Sequence, residues 1–367
     1  MKPIPYVDLA AQFAAERVVL ERRIASVLSE GQWIGGAQVD ALERRIAARL
    51  GCAHTVGVGS GTDALVLAMK ALDIGPGDEV ITPPNSFVAS TAAIVHTGAT
   101  PVFADVLDDQ TIDPAAVERA ITPRTRAIMP VHLSGRTCRM PELLAIAKAH
   151  GLRVVEDAAQ AFGSQQGGRA TGTFGDVGCF SAHPLKNLNA MGDAGFVATD
   201  DDDIAGRIRR LRNNGLLDRN TVVEWGTVSR LDTLQAVVLD HRLDGLDEVI
   251  ARRRANAARY RALLDPSLVF HPESRPGDFD TFHTFVVQVD RRDALQRFLA
   301  DRSIGTSIHY PVPIHLQPAA GGLGHMPGDF PVTERQAGRI LSLPIHQFLT
   351  DDDITRVVAS LHGFLRC

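Results

Sequence analysis

Three stretches of the chain carry residue types whose combination could do chemistry. In VGVGSGTDAL, Val56–Leu65, an apolar run enters glycines and then a helical pattern. Backbone N–H groups at such a helix start can hold a phosphate, and glycine permits close approach. Gly57 and Gly59 begin a dinucleotide-like GxG, but Thr62 replaces the third glycine and no acid ends the next strand, Glu79–Thr82. A single phosphate on Ser60, Gly61 and Thr62 fits better than a dinucleotide, with a plain tight turn as the bland alternative. In RVVEDAAQAFG, Arg153–Gly163, Asp157 directly follows an apolar run, with Gln160 one turn on. Asp157 either caps the next turn or presents a buried carboxylate to a cationic ring nitrogen. In CFSAHPLKNLNAMGDAGF, Cys179–Phe196, Lys186 sits near the centre of a polar loop between two apolar strands.

The chain has four lysines, and they are not equivalent. Lys2 is terminal, whereas Lys70 and Lys148 flank or oppose the apolar faces of helical patterns and read as solvated side chains. Lys186 alone occupies an irregular segment near a sheet edge, where partial burial and nearby cations lower an amine's pKa and free it for Schiff-base chemistry. A phosphate loop, an acid and a lysine are together what pyridoxal phosphate requires: an anion site, a partner for the pyridinium nitrogen and an amine for the aldehyde. A flat side chain should cover the ring, and Phe87 in PPNSFVAS follows a strand with few competitors.

Alternating elements must position these groups. Strands are expected at His54–Val58, Glu79–Thr82, Pro101–Ala104, Ala127–Val131, Arg153–Glu156, Val177–Phe180 and Gly195–Thr199, with helical patterns between most of them. Met140, Leu143, Leu144 and Ala147 trace one such helix face. Repeated βαβ units predict an α/β fold with a mainly parallel seven-stranded sheet between helical layers, whose ligands gather at the strands' carboxyl ends. A long helical region, Ser229 to about Leu264, should bend at Gly245 and stop before Pro266. A smaller α+β unit follows, with a strand at Thr284–Val289, a helix from Arg292, a Gly/Pro-rich loop around Pro318–Gly328 and a last helix capped by Thr350. The expected division is a large domain, 1–245, with an N-terminal arm and helix, and a small C-terminal domain, 246–367.

Composition narrows the classes. The chain has 367 residues, 45% hydrophobic and 22% charged, with a formal charge of −5. Spread mild acidity argues against nucleic acid as a partner, and no apolar run reaches the ~18 residues of a membrane helix. The start, Met1–Pro5, lacks the apolar stretch of a secretory leader. Cys52, Cys138, Cys179 and Cys367 show neither zinc nor disulfide spacing, which fits a cytoplasmic location.

With these residues in view, the chain resembles the DegT/DnrJ/EryC1/StrS family of sugar aminotransferases, a branch of the fold-type-I pyridoxal-phosphate enzymes. The resemblance runs through PYVDLAAQ, GQWIGGAQVDALE, GSGTDAL, GPGDEVITPPNSFVAS, GATPVFADV, PVHLSG, VVEDAAQAFG, FSAHPLKNLNAMGDAG, SRLDTLQA, IHYPVPIHLQPA and LSLPIH. It implies that Lys186 carries the cofactor as a Schiff base and that Asp157 pairs with the pyridine nitrogen. It further implies Gln160 beside the ring hydroxyl, Phe87 on the ring face, and Ser60, Gly61, Thr62 and Ser181 around the phosphate. The implied reaction moves an amino group from L-glutamate or glutamine to a keto- or aldehydo-sugar, nucleotide-linked in the family's manner, through pyridoxamine phosphate, in a homodimer with shared active sites. A related dehydratase branch replaces the Schiff-base lysine with histidine; Lys186 therefore favours transamination.

The resemblance also implies that His309, Tyr310 and His315, in IHYPVPIHLQP, lie at the small-domain edge of the pocket, where they contact the sugar or serve the loop. No third ligand joins the two histidines, so no metal is expected. One departure stands out. The family usually has Asn, reaching across the dimer to a phosphate, where this chain has Val228. Asn213, Asn214 or Ser229 is expected to take over that contact, or Val228 simply packs at the start of the long helix.

Overall fold

The computed structural model describes residues 2–366; Cys367 lies outside the described residues. Two helices come first. α1 (Leu9–Glu30) starts where the Asp8 carboxylate accepts the Ala11 N–H at 2.9 Å and stops at Gly31 in the left-handed region. α2 (Ala37–Leu50) follows. Then come β1 (His54–Val58), α3 (Gly61–Ala71), β2 (Glu79–Thr82), α4 (Val88–His96), β3 (Thr100–Phe103), α5 (Pro114–Arg119), β4 (Thr125–Ile128), α6 (Met140–His150) and β5 (Arg153–Asp157). A short antiparallel pair, β6 (Gln165–Gln166) and β7 (Arg169–Ala170), precedes β8 (Val177–Ser181), β9 (Gly195–Thr199) and α7 (Asp202–Leu211).

The large sheet has the order β1-β9-β8-β5-β4-β2-β3. β9 runs antiparallel to both its neighbours, and the remaining pairs are parallel. The carboxyl ends of β1, β2, β5 and β8 therefore share one edge, and the amino end of β9 joins them there. All seven expected strands form, with ends displaced by at most three residues. Their near-continuous apolar runs suit a sheet covered on both faces. One face buries Val56, Val155 and Val197 against Leu65 and Ala68 of α3 and Ile204 and Ile208 of α7. The other buries Phe180 and Phe196 against Leu42 and Ile46 of α2.

The long helical region divides at Gly245 into α8 (Thr233–Asp244) and α9 (Leu246–Leu263). Leu246 and Ile250 of α9 pack with α2 and α8, whereas Ala257 and Tyr260 enter a separate core. That second core is built on β11 (Phe285–Gln288), α10 (Arg292–Ala300), β12 (Ile340–Leu343) and α12 (Asp351–Leu365), with Ile4 inserted from the N-terminal arm. β10 (Asp278–Phe279) pairs with β6, and α11 (Pro331–Ala337) precedes β12. Thr350 and Asp353 complete the expected capping box at α12. No helix among the described residues is long and apolar enough to cross a membrane.

Candidate active site

The shared sheet edge opens into a cavity of about 310 Å³, and ten of the residues singled out above line it: Ser60, Gly61, Thr62, Phe87, Asp157, Gln160, Ser181, Lys186, His309 and Tyr310. The floor is the start of α3. Ser60 caps that helix, its Oγ accepting the Asp63 N–H at 3.1 Å. Gly61 comes so close to β8 that a Cβ there would lie 2.6 Å from the Ser181 Cβ. Gly195 meets the same loop from β9, where a Cβ would lie 2.4 Å from the Ser60 carbonyl oxygen. The glycines thus let two backbones close around the helix N-terminus, a cradle suited to one phosphate. Ser229 ties the loop from behind: its hydroxyl accepts the Gly59 N–H at 3.0 Å and donates to Asp63 Oδ2 at 2.9 Å.

Asp157 ends β5 and is only 4% exposed. Its Oδ1 accepts the Ala159 N–H at 3.1 Å and its Oδ2 accepts the Ser90 hydroxyl at 2.6 Å. Asp157 thus caps the turn and also lines the cavity. Glu156 points the other way, as alternation along a strand requires. Fully buried, it accepts the Gly172, Phe174 and Gly175 N–H groups at 2.9, 2.6 and 2.7 Å, and its partner His132 donates from Nε2 at 2.9 Å. This network anchors β5 from beneath the site. Gln160 accepts the Ser134 N–H at its Oε1, 2.7 Å away, so its amide NH₂ is turned toward Tyr310 Oη at 3.3 Å and toward the cavity.

Lys186 lies in the irregular loop after β8, which hydrogen bonds hold in place. Asn187 donates to the Thr281 carbonyl at 3.1 Å, Asn189 to the Pro184 carbonyl at 2.7 Å, and Arg242 to the Asn189 carbonyl at 2.8 Å. Desolvation in the pocket pushes the Lys186 ammonium down to about 8, against the pull of Asp157. Near neutrality a larger share of its amine is therefore unprotonated than for an ordinary lysine. Desolvation, with Lys186 adding to it, also holds the His309 imidazole down at about 4. Burial, together with Asp157, pushes the Tyr310 phenol above its ordinary range, while its bond to Gln160 opposes the shift. The Phe87 and Tyr310 rings meet at 5.6 Å between centroids, yet Phe87 is still 54% exposed and offers a face to a flat ligand.

Not every expected residue joins the site. Asn214 is exposed at a turn with φ of 59°, bonds through its backbone N–H to the Thr227 carbonyl at 2.9 Å, and lies outside the cavity of its own chain. Asn213 uses its Oδ1 to accept from Arg230 at 3.2 Å. Val228 is 61% exposed in its own chain. His315 is buried away from the cavity, its Nε2 3.0 Å from Glu334 Oε1. Conversely, Ser90, Asp193 and His283 line the cavity without having been singled out, because none stands in a spacing that marks it. Among the described residues no group of three or more His, Cys, Asp or Glu side chains could hold a metal. An anion cradle, a buried acid and a depressed amine around one cavity fit a pyridinium aldehyde carrying a single phosphate.

Comparison with known proteins agrees with this chemistry. Residues 16–362 match the model of the DegT/DnrJ/EryC1/StrS aminotransferase family. The chain is 44% identical over 366 residues to UDP-N-acetyl-3-dehydro-alpha-D-glucosamine 3-aminotransferase of Acidithiobacillus ferrooxidans, covering 98% of each chain. It is also 44% identical to dTDP-3-amino-3,4,6-trideoxy-alpha-D-glucose transaminase of Streptomyces venezuelae, covering 97% of this chain and 94% of that one. Among solved structures, S. venezuelae DesV in complex with a ketimine intermediate superposes with a TM-score of 0.97 at 42% identity, with each chain fully covered. The PLP-form of the sugar aminotransferase Spr1654 from Streptococcus pneumoniae gives 0.89 at 25% identity, covering 95% of this chain and 96% of that one. The chain belongs to the DegT/DnrJ/EryC1/StrS aminotransferase family.

Proposed function

We propose that the protein is a pyridoxal-phosphate-dependent aminotransferase that moves an amino group from L-glutamate or glutamine to a keto- or aldehydo-sugar, in amino-sugar biosynthesis. The observation that carries this reading is the convergence of Lys186, Asp157 and the Ser60–Thr62 cradle on one cavity. The relatives' names speak for a nucleotide-linked sugar as acceptor. When bound, pyridoxal phosphate supplies an electrophilic carbonyl and an electron sink for charge developing on the substrate carbon.

The chain's own residues do the rest. Ser60, Gly61, Thr62 and Ser181 hold the phosphate. Phe87 covers one ring face, and the Gln160 amide, turned by Ser134, donates toward the ring hydroxyl. Asp157 keeps a proton on the ring nitrogen. Lys186 would hold the aldehyde, and its amine, freed when an amino donor takes its place, would be the group that moves the proton of the donor's α-carbon. His309 and Tyr310 border the space left for the sugar, and Tyr310 stays protonated as a hydrogen-bond donor. The working unit is a homodimer in the cytoplasm that shares its active sites, with residues 1–245 as the large domain and 246–367 as the small one. The test runs the two half-reactions separately: loading with L-glutamate, then offering the pyridoxamine form a panel of keto- and aldehydo-sugar nucleotides. Return of visible absorbance near about 420 nm identifies the acceptor, and a panel that never restores it, with no 2-oxoglutarate formed in the first step, contradicts the reading.

A further inference from the structure

We propose that Ser90 is a positioning residue for Asp157: its hydroxyl locks the carboxylate in the orientation that meets the ring nitrogen. This rests on the functional reading above. Ser90 stands in the first turn of α4, is 1% exposed and lines the same cavity. Its Oγ lies 2.6 Å from Asp157 Oδ2, the length of a charge-assisted O–H···O⁻ bond. A hydroxyl has one proton to give. The other acceptor in reach, the Phe87 carbonyl, is neutral and 3.3 Å away, so the carboxylate takes it.

Asp157 then has one donor on each oxygen, Ser90 on Oδ2 and the Ala159 N–H on Oδ1. Two donors, one on each oxygen, hold the carboxylate against rotation about its last torsion, which is otherwise soft. They also leave lone pairs on both oxygens for the cavity. Ser90 further joins two parts of the site, because its own N–H bonds the Phe87 carbonyl at 3.2 Å. The segment that carries Phe87 therefore also clamps the acid that faces the cavity. Nothing else within hydrogen-bonding reach of Oδ2 replaces Ser90 among the described residues.

The experiment uses the holoprotein reconstituted with pyridoxal phosphate labelled with ¹⁵N in the ring. In Ser90→Ala, kcat should fall about tenfold to a hundredfold, as expected for a lost hydrogen bond to a charged group. KM for glutamate should stay within about twofold of wild type, because the loss is felt only after binding. The ring ¹⁵N resonance should move toward the unprotonated position, and Ser90→Thr, which keeps the hydroxyl, should restore both readouts. In an Asp157→Asn background, Ser90→Ala should add little further loss. A Ser90→Ala holoprotein with the wild-type ¹⁵N position and kcat overturns the assignment, as does an equal, additive loss in the Asp157→Asn background. A wild-type protein that forms no visible absorbance with the cofactor overturns the functional reading together with it.

Discussion

Replacing Gly195 with alanine asks whether close backbone approach builds the phosphate cradle. An added Cβ would sit 2.4 Å from the Ser60 carbonyl oxygen, 2.5 Å from its carbon and 2.8 Å from the Gly61 nitrogen. Comfortable separations are about 3.5–4.0 Å, so something must move by about 1 Å. β9 cannot withdraw, because Gly195 pairs with Val58 on one side and Ser181 on the other. The Ser60–Gly61 peptide must shift instead, and it is the cradle. Overpacking of this kind costs about 1–3 kcal/mol. If the cost falls on phosphate binding, the Kd for pyridoxal phosphate rises about 5- to 140-fold, at about 1.4 kcal/mol per factor of ten. The assay titrates apoprotein with pyridoxal phosphate and, as a control, with pyridoxal, which lacks the phosphate and should bind both proteins alike. An unchanged Kd for pyridoxal phosphate in Gly195→Ala would refute the reasoning.

Two further outcomes depend on pH. Because desolvation lowers the Lys186 ammonium to about 8, the rate at which apoprotein captures pyridoxal phosphate should climb through that pH. An ordinary lysine would place the rise near ~10.4; stopped-flow absorbance distinguishes the two. His271 is held neutral by burial, down to about 3, although its bond to the Val286 carbonyl opposes the shift. The unfolded chain protonates it near ~6.5, so this contribution to stability is complete above that pH and is lost as pH falls toward 3. Urea unfolding of His271→Phe should accordingly show a weaker pH dependence across that window than wild type.

Much of the site was legible in the sequence because strand ends are legible. Asp157 directly follows an apolar run, and a sheet delivers such a residue to one edge whatever the details of packing, whereas Ser181 was implied by the family resemblance alone. Lys186 stood out by elimination, since Lys2 is terminal and Lys70 and Lys148 lie on helical patterns. Ser90 could not be found this way. It sits inside an apolar helix start, and its importance depends on β2 and β5 lying on either side of β4, a strand order that no local pattern encodes. The same holds for the direction of β9 and for Glu156, whose three backbone partners lie 16 to 19 residues away in an irregular loop. The turn at Asn213–Gly215 leaves Asn214 exposed on its own chain, while Ser229 braces the Gly59–Asp63 segment from behind, a tie between residues 166 to 170 positions apart that no local pattern shows.

The central claim is that Lys186 anchors the cofactor and moves the proton that makes transamination possible. Its most direct test mixes purified holoprotein with L-glutamate and follows visible absorbance together with released 2-oxoglutarate. Wild type should lose its absorbance near about 420 nm and release one equivalent of 2-oxoglutarate per cofactor, and Lys186→Ala should release none. A Lys186→Ala protein that forms 2-oxoglutarate at the wild-type rate would contradict the account.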